Sequence, residues 1–338
     1  MVSIKDVAAK AGVSLTTASI VINGKSKERK ISEKTQQRVM KSMQELHYIP
    51  NVSAKQLRKG DVQKYIIAVF WSMDYRSSMM VRFIKGLQNQ INTEKAKMNV
   101  IIHTYQAGKL ENEAESFRQG DFHAAIIANA SMEDLAFLEK EDFTMPIVLY
   151  NRYLEKYSSV NIDDGVVGET GAKHMIRMGY HKPVIIHGSS SFPGATKREE
   201  VFAEVMKMNK FDVCGHYVTE NSIKGGAECA SKLLAAIRRK KIDSIVCSSD
   251  AIALGVSNRL QREGIKIPED IGIIAVGNID PQYAEYNNPS ITVIDIPISK
   301  MGAGCLELVT ERLNNYMAEP RRIFFLTELF PRESTNRQ

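Results

Sequence analysis

Ile4-Lys5-Asp6-Val7-Ala8-Ala9-Lys10-Ala11-Gly12-Val13-Ser14-Leu15-Thr16-Thr17-Ala18-Ser19-Ile20-Val21-Ile22-Asn23 is the run from which the fold of the chain can be read outward. Ile4, Val7, Ala8 and Ala11 fall on one helical face, and Ser3 followed three residues later by Asp6 makes a capping-box-like start. Gly12 closes that helix, because it tolerates the left-handed backbone a helix end demands. Val13 is an apolar anchor, Ser14 is placed to cap a second helix, and Ala18, Val21 and Ile22 supply that helix with an inner face. Helix, short glycine turn, helix is the pattern of a helix-turn-helix. A third helix is expected after Ser32, with Val39, Met43 and Leu46 inward and Lys34, Arg38 and Lys41 outward.

The second helix leaves Leu15, Thr16, Thr17, Ser19 and Ile20 outside its core face. Hydroxyls at the N-terminal turn of such a helix suit phosphates or base edges, and Leu15 and Ile20 suit thymine methyl groups. Charge points the same way. Of 338 residues, 45 are Lys or Arg and 39 Asp or Glu, yet residues 1–60 hold 12 of the first kind and 4 of the second. The head therefore carries +8 and the remainder −2, an asymmetry that favours a polyanion, nucleic acid or an anionic membrane surface. The membrane alternative lacks the large apolar helix face that insertion requires. A small three-helix protein-interaction domain is the remaining alternative for the head.

Several classes are excluded. No run approaches 18 apolar residues, so no membrane span is expected, and no leader pattern follows Met1, so a cytoplasmic protein is expected. Cys214, Cys229, Cys247 and Cys305 are widely separated, without CxxC pairs or zinc spacing, and are expected to be buried structural thiols. No cofactor or metal is expected. The chain has no P-loop, GxGxxG, GxSxG or HExxH, and His103, His174, His181 and His187 form no evident triad, so it is not expected to be an enzyme.

Beyond the head, apolar runs at 65–71, 100–105, 124–128 and 147–150 alternate with helical stretches such as 81–94. After the connection Val160-Asn161-Ile162-Asp163, strands at 183–187, 216–218, 244–247 and 271–276 alternate with helices near 168–178, 196–208, 226–239 and 252–263. This α/β alternation predicts two doubly wound parallel sheets with helices on both faces. Ligands of such sheets bind outside the carboxyl ends of the strands, and two facing lobes enclose a cleft there.

The opening run, followed by Tyr48-Ile49-Pro50-Asn51 and Ala54-Lys55-Gln56-Leu57, resembles the LacI/GalR family of transcriptional regulators. Phe330-Pro331-Arg332-Glu333-Ser334-Thr335 is similar to that family's closing strand, so the resemblance spans essentially the whole chain. It implies an all-α helix-turn-helix head at 1–48, a hinge helix and linker at 49–61, and an effector-binding and dimerisation domain at 62–338. That domain is expected to be periplasmic-binding-protein-like, with lobe 1 at about 62–161 and 296–320 and lobe 2 at about 162–295 and 321–338. The implied partners are a pseudo-palindromic double-stranded DNA operator, a sugar or sugar-phosphate effector and a second copy of the chain. Nothing after Gln338 resembles a leucine-heptad tail, so a dimer is expected.

Residue by residue, the resemblance implies DNA contacts from Ser14, Leu15, Thr16, Thr17, Ser19, Ile20 and Asn23, and from Asn51, Ala54, Leu57 and Arg58 of the hinge. The hinge can make two helical turns capped by Asn51, too few to be stable alone. Leu57 occupies the place of a minor-groove wedge, the alternative being a linker leucine packed on the body. Many members carry arginine where this chain has Ile20, so a bidentate guanine contact is absent here. The turn Gly24 to Ile31 resembles that of fructose- and sucrose-type repressors, with Lys25, Lys27, Arg29 and Lys30 as phosphate contacts or merely solvated.

Implied effector residues are Trp71, Ser72, Asn151, Arg198, Ser249, Asp250 and Asp280. Trp71 is either a stacking platform or core. Arg198 offers five fixed donors to a ligand, or pairs with Glu199 or Glu200 on the surface. Asp250 either contacts the effector or caps a helix. Gly277-Asn278-Ile279-Asp280 departs from the family's Gly-aromatic-Asp-Asp, with Ile279 in place of the first acid, which together with Lys197 beside Arg198 leans toward an anionic effector. The competing reading is a small-molecule binding protein or sugar-modifying enzyme with a basic appendage.

Overall fold

The computed structural model of the chain describes residues 4–22, 26, 29–46, 48, 65–73, 79–95, 97–119, 121–143, 145–189, 193–277, 281–315 and 318–337. The head consists of α1 (Ile4–Ala11), α2 (Leu15–Ile22) and α3 (Glu33–Glu45). Val7, Ala8, Ala11, Ala18, Val21, Ile22, Val39 and Met43 close its small core, with Ile4, Val13, Ile31, Leu46 and Tyr48 packed around them. Gly12, at φ +62°, makes the turn, and the amides of Gly12 and Val13 close α1 on the carbonyls of Ala9 and Ala8. These are the positions that helical periodicity selects, because a core this small has room for little besides alanine and single β-branched residues.

The first sheet is built in chain order from β1 (Tyr65–Met73), α4 (Met79–Glu94), β2 (Met98–Gln106), α5 (Ala114–Gln119), β3 (Ala124–Ala128), α6 (Met132–Lys140), β4 (Ile147–Tyr150) and β5 (Ser158–Ile162). The second comprises α7 (Asp164–Arg177), β6 (Pro183–Gly188), α8 (Pro193–Met208), β7 (Gly215–Thr219), α9 (Ile223–Arg238), β8 (Ser244–Cys247), α10 (Asp250–Arg262), β9 (Gly272–Val276), α11 (Pro281–Glu285) and β10 (Thr292–Asp295). The chain then returns through α12 (Ile298–Asn314) and β11 (Arg322–Phe325) to the first sheet and ends with β12 (Glu328–Phe330) in the second. Strand orders are β11-β5-β4-β3-β1-β2 and β12-β10-β9-β8-β6-β7. The contacts divide the chain into Met1–Asn161 with Ile298–Ile323 and Ile162–Pro297 with Phe324–Gln338, so the last division falls within β11.

Both β3 and β9 are buried along their whole length, as strands covered by helices on two faces must be. The sheet edges β2 and β7 instead alternate half-buried and exposed residues. The segment expected as a bare connection, 160–163, is largely strand: Tyr150 pairs with Val160 and Val148 with Ser158 in parallel. Ser158, Ser159 and Asn161 hid this strand, since they interrupt the apolar run that a buried strand normally displays. Cys229, Cys247 and Cys305 are buried as expected, whereas Cys214 is exposed because it precedes an edge strand.

Helices in the second unit lie backbone against backbone. A Cβ on Gly255 of α10 would stand 1.9 Å from the Ile223 carbonyl oxygen of α9, a separation that only glycine permits. The C-terminal segment is tied to this unit by buried polar bonds. His174 Nε2 lies 2.9 Å from Thr335 Oγ1, which is 2.7 Å from Thr292 Oγ1. Ser334 accepts from the Thr292 amide (2.8 Å) and donates to the Ile273 carbonyl (2.6 Å).

Burial, reinforced by nearby Arg177, pushes the His174 pKa down from 6.5 to about 4. The unfolded chain therefore binds the proton more readily, and stability falls as pH drops from about 6.5 toward about 4. His174→Gln is expected to flatten this part of the Tm-versus-pH curve, measured by circular dichroism; an unchanged slope would exclude His174 as its source.

Candidate functional site

In the head, Ser14 caps α2: its Oγ accepts from the Thr17 amide at 3.0 Å and lies 2.9 Å from Thr17 Oγ1. Ser14, Leu15 and Thr16 are exposed, Leu15 at 44%, while Thr17, Ser19 and Ile20 are half-buried. An exposed leucine beside two hydroxyls is a surface that can meet a methyl group and hydrogen-bonding edges together. Lys34, Arg38 and Lys41 of α3 are exposed, as are Arg29 and Lys30 before it. Asn23, Asn51, Ala54, Leu57, Arg58, Lys25, Lys27 and Asp280 lie outside the described residues.

Sheet register brings together the carboxyl ends of the first unit. Trp71 pairs with Ala128, and Ala128 with Tyr150, so Ser72, Asn129 and Asn151 follow one common row. Asn129 and Asn151 both adopt positive φ, +59° and +53°, a conformation asparagine tolerates better than most residues. Arg152, 6% exposed, braces this rim by donating through Nε to the Ala130 carbonyl at 2.6 Å and through a terminal nitrogen to the Asn151 carbonyl at 2.5 Å. Asn129 was missed in the sequence, where nothing but its place after a buried strand marks it.

Trp71 is not a stacking platform. Its ring is 0% exposed, with centroids 5.3 Å from Phe83 and 6.1 Å from Tyr150. Position at a strand end suggested access; the alternation of the strand turns this side chain toward α4 instead. Ser72 is likewise fully buried.

The second unit assembles a denser polar group. Arg198 of α8 is 8% exposed, and its Nε donates to Asp164 Oδ1 at 2.6 Å. This partner is an acid from α7, distant in the chain from the neighbouring Glu199 and Glu200. Gly168 makes this possible: the Arg198 carbonyl oxygen would stand 2.2 Å from any Cβ there, and Asp164 lies one helical turn before Gly168 on the same face. Asp163 caps α7, accepting from the amides of Gly165 and Val166 at 2.9 and 3.1 Å.

Beside Arg198, Glu199 approaches His187 Nδ1 at 3.3 Å and His216 Nδ1 at 3.8 Å. Ile185 pairs with His216, so His187, two residues on, projects from the same sheet face. Burial pushes the Glu199 carboxyl up, and the two histidines draw it back down. At the carboxyl end of β8, Ser249 caps α10 by accepting from the Ile252 amide (3.2 Å), and it donates to Asn221 Oδ1 (2.5 Å). Asp250, 3% exposed, accepts from the Ala251 amide at 3.0 Å; the cap of α10 is Ser249, so the capping alternative for Asp250 does not hold. Asp164, Asn221 and His216 were missed because their partners are distant in the chain. A small recess of about 40 Å³ is lined by Val167, Gly171, Phe202 and Val246 together with Arg198 and Glu199.

A three-helix head with a polar recognition turn, joined to two doubly wound sheets with polar groups at their strand ends, defines a class of DNA-binding regulators that sense small molecules. Comparison with known proteins agrees. Residues 3–51 match bacterial regulatory proteins of the lacI family, and residues 172–335 match a periplasmic binding protein-like domain. A LacI family transcription regulator from Clostridium acetobutylicum is 35% identical, with a TM-score of 0.74 over 80% of this chain and 100% of that one. The transcriptional repressor PurR of Vibrio vulnificus is 27% identical over 100% of this chain and 99% of its own. A transcriptional regulator CelR–cellobiose complex, 21% identical, shares the fold over 99% of this chain and 100% of that chain, with a TM-score of 0.70. The chain belongs to the LacI family of DNA-binding transcriptional regulators.

Two outcomes follow from the packing. Gly168→Ala is expected to force α7 and α8 apart and cost about 1–3 kcal/mol in urea unfolding; a neutral variant would disprove the close approach. The fluorescence of Trp71 is expected to resist quenching by iodide in native protein and to become quenchable in denaturant, since the ring is enclosed.

Proposed function

We propose that the protein is a cytoplasmic repressor that binds a pseudo-palindromic operator as a homodimer, its affinity set by a small carbohydrate-like or phosphorylated effector held at Arg198. The carrying observation is the pairing of an exposed hydroxyl-rich turn on a basic head with a buried guanidinium on helix α8 of a separate unit. Ser14, Leu15 and Thr16 would meet the major groove, with Arg29, Lys30, Lys34 and Arg38 toward phosphates. Two heads related by a twofold axis would address half-sites roughly 34–36 Å apart. The hinge at 49–61 would order on DNA and offer Leu57 as the wedge.

Control by the effector is linkage. A molecule that binds one arrangement of the sensing domain better than another shifts the population, and couplings of this kind amount to about 1–3 kcal/mol. No enzymatic step is required, and no helix among the described residues is long and apolar enough to cross a membrane.

Operator affinity, measured by fluorescence anisotropy on a sequence selected from random DNA, is expected to fall steeply with salt while selectivity persists. Equal affinity for selected and random DNA at every salt concentration would end this reading. Arg198→Ala is expected to retain operator binding and lose the effector response. Leu57→Ala is expected to weaken specific binding by about 1–3 kcal/mol and leave thermal stability unchanged.

A further inference from the structure

Helix α2 has no side chain that can make a bidentate contact with a base. Its eight residues, Leu-Thr-Thr-Ala-Ser-Ile-Val-Ile, include neither a charge nor an amide. Guanine is read in the major groove by the paired donors of Arg or Lys, and adenine by the amides of Asn or Gln, so these contacts are closed to α2. What remains to it is hydroxyl groups and methyl-bearing surface.

Helix geometry decides which of these face outward. Ala18, Val21 and Ile22 are buried in the head core. Thr16 and Ile20, one turn apart, lie on the opposite side of the helix, and Leu15 and Ser19 form the neighbouring row. Leu15 is 44% exposed and Thr16 is exposed, while Ile20 is half-buried. The hydroxyls of Ser14 and Thr17 are oriented by the cap: Ser14 Oγ accepts from the Thr17 amide at 3.0 Å and lies 2.9 Å from Thr17 Oγ1. Positive charge belongs to the flanking helices. Lys34, Arg38 and Lys41 are on α3, and Lys10 of α1 lies 2.8 Å from Glu45. Such cations suit phosphates, which orient a protein on the duplex without reading its sequence.

An exposed leucine gains by leaving water only against another apolar surface. In the major groove that surface is the C5-methyl of thymine. We infer that the protein selects its operator through thymine methyls: Leu15, with the Thr16 methyl and Ile20 beside it, packs on the C5-methyl of at least one thymine in each half-site, and the preference for thymine there comes from this contact and not from a hydrogen-bonded base edge. The inference rests on the operator-binding reading above and names the base feature that is recognised. Cytosine lacks the methyl and presents an amine donor, so it leaves Leu15 against a polar edge. A cytosine methylated at C5 returns the apolar contact.

The test uses the full-length protein and an operator selected from random DNA. Each thymine is replaced in turn by deoxyuridine, which removes the methyl and keeps both the base pairing and the hydrogen-bonding groups of the groove, and affinity is read by fluorescence anisotropy. At least one thymine per half-site is expected to weaken binding about three- to five-fold on this change, the worth of one buried methyl group. Cytosine at that position is expected to weaken binding further, and 5-methylcytosine to recover part of the loss. Leu15→Ala is expected to bind the thymine and deoxyuridine operators equally at that position. The slope of its log affinity against log salt is expected to stay at the wild-type value, because a methyl contact neutralises no phosphate. Leu15→Ser gives the same comparison if the alanine variant does not fold.

Tolerance of deoxyuridine at every thymine, or a penalty undiminished in a folded Leu15 variant, overturns the inference and leaves the regulator reading in place, since a selected operator exists. Failure to select any operator removes the regulator reading and this inference together, so the two failures are distinguishable.

Discussion

A parallel sheet tolerates water on neither face, and this constraint organises the body of the protein. Helices must cover β3 and β9 on both sides, and the polar ends of the strands become the only places where chemistry can gather. The tightness of that cover matters as much as its existence. At Gly168 and Gly255 the helices meet through backbone atoms, with carbonyl oxygens occupying the space where side chains would be. Such contacts leave the helices little freedom to slide past one another.

Arg198 shows what this placement achieves. Gly168 lets α8 lie directly on α7, and on that close contact the buried Arg198 Nε bonds to Asp164. Burying the pair removes water that would otherwise screen it, which raises its electrostatic weight and the cost of leaving either member unpaired. The surrounding acids, Asp163, Glu199 and Asp250, are each engaged by amides or histidines.

The head follows a different economy. Its core is a handful of alanines and branched residues, and its outward turn displays Leu15 and Thr16 beside the capping Ser14. No long-range pairing is needed to expose them, since helix periodicity alone decides which side faces out. Burial of His174 and the hydroxyls of Thr292, Ser334 and Thr335 does for the chain terminus what the glycines do for the helices, locking a late segment into a sheet formed far earlier in the chain.

Most of the architecture was legible in residue order. Periodicity marked the three head helices, apolar runs marked the buried strands, and charge separated the head from the body, because each of these signals is local. Strand β5 is hidden in the sequence, since Ser158, Ser159 and Asn161 interrupt the apolar run that marks a buried strand. Among the candidate site residues, Arg198 and Asp250 are picked out by the family resemblance, but their partners are not. For Trp71 the sequence leaves stacking platform and core both open, because one-dimensional position gives the end of a strand and not the side to which its ring turns, and the burial of the ring favours core. What the sequence by itself determined was the succession of elements and the identity of the charges. Which acid neutralises Arg198, which serine caps α10 and which aromatic is sealed from solvent were decided only by tertiary structure, because each depends on backbone contacts between segments that are neighbours in space and remote in the chain.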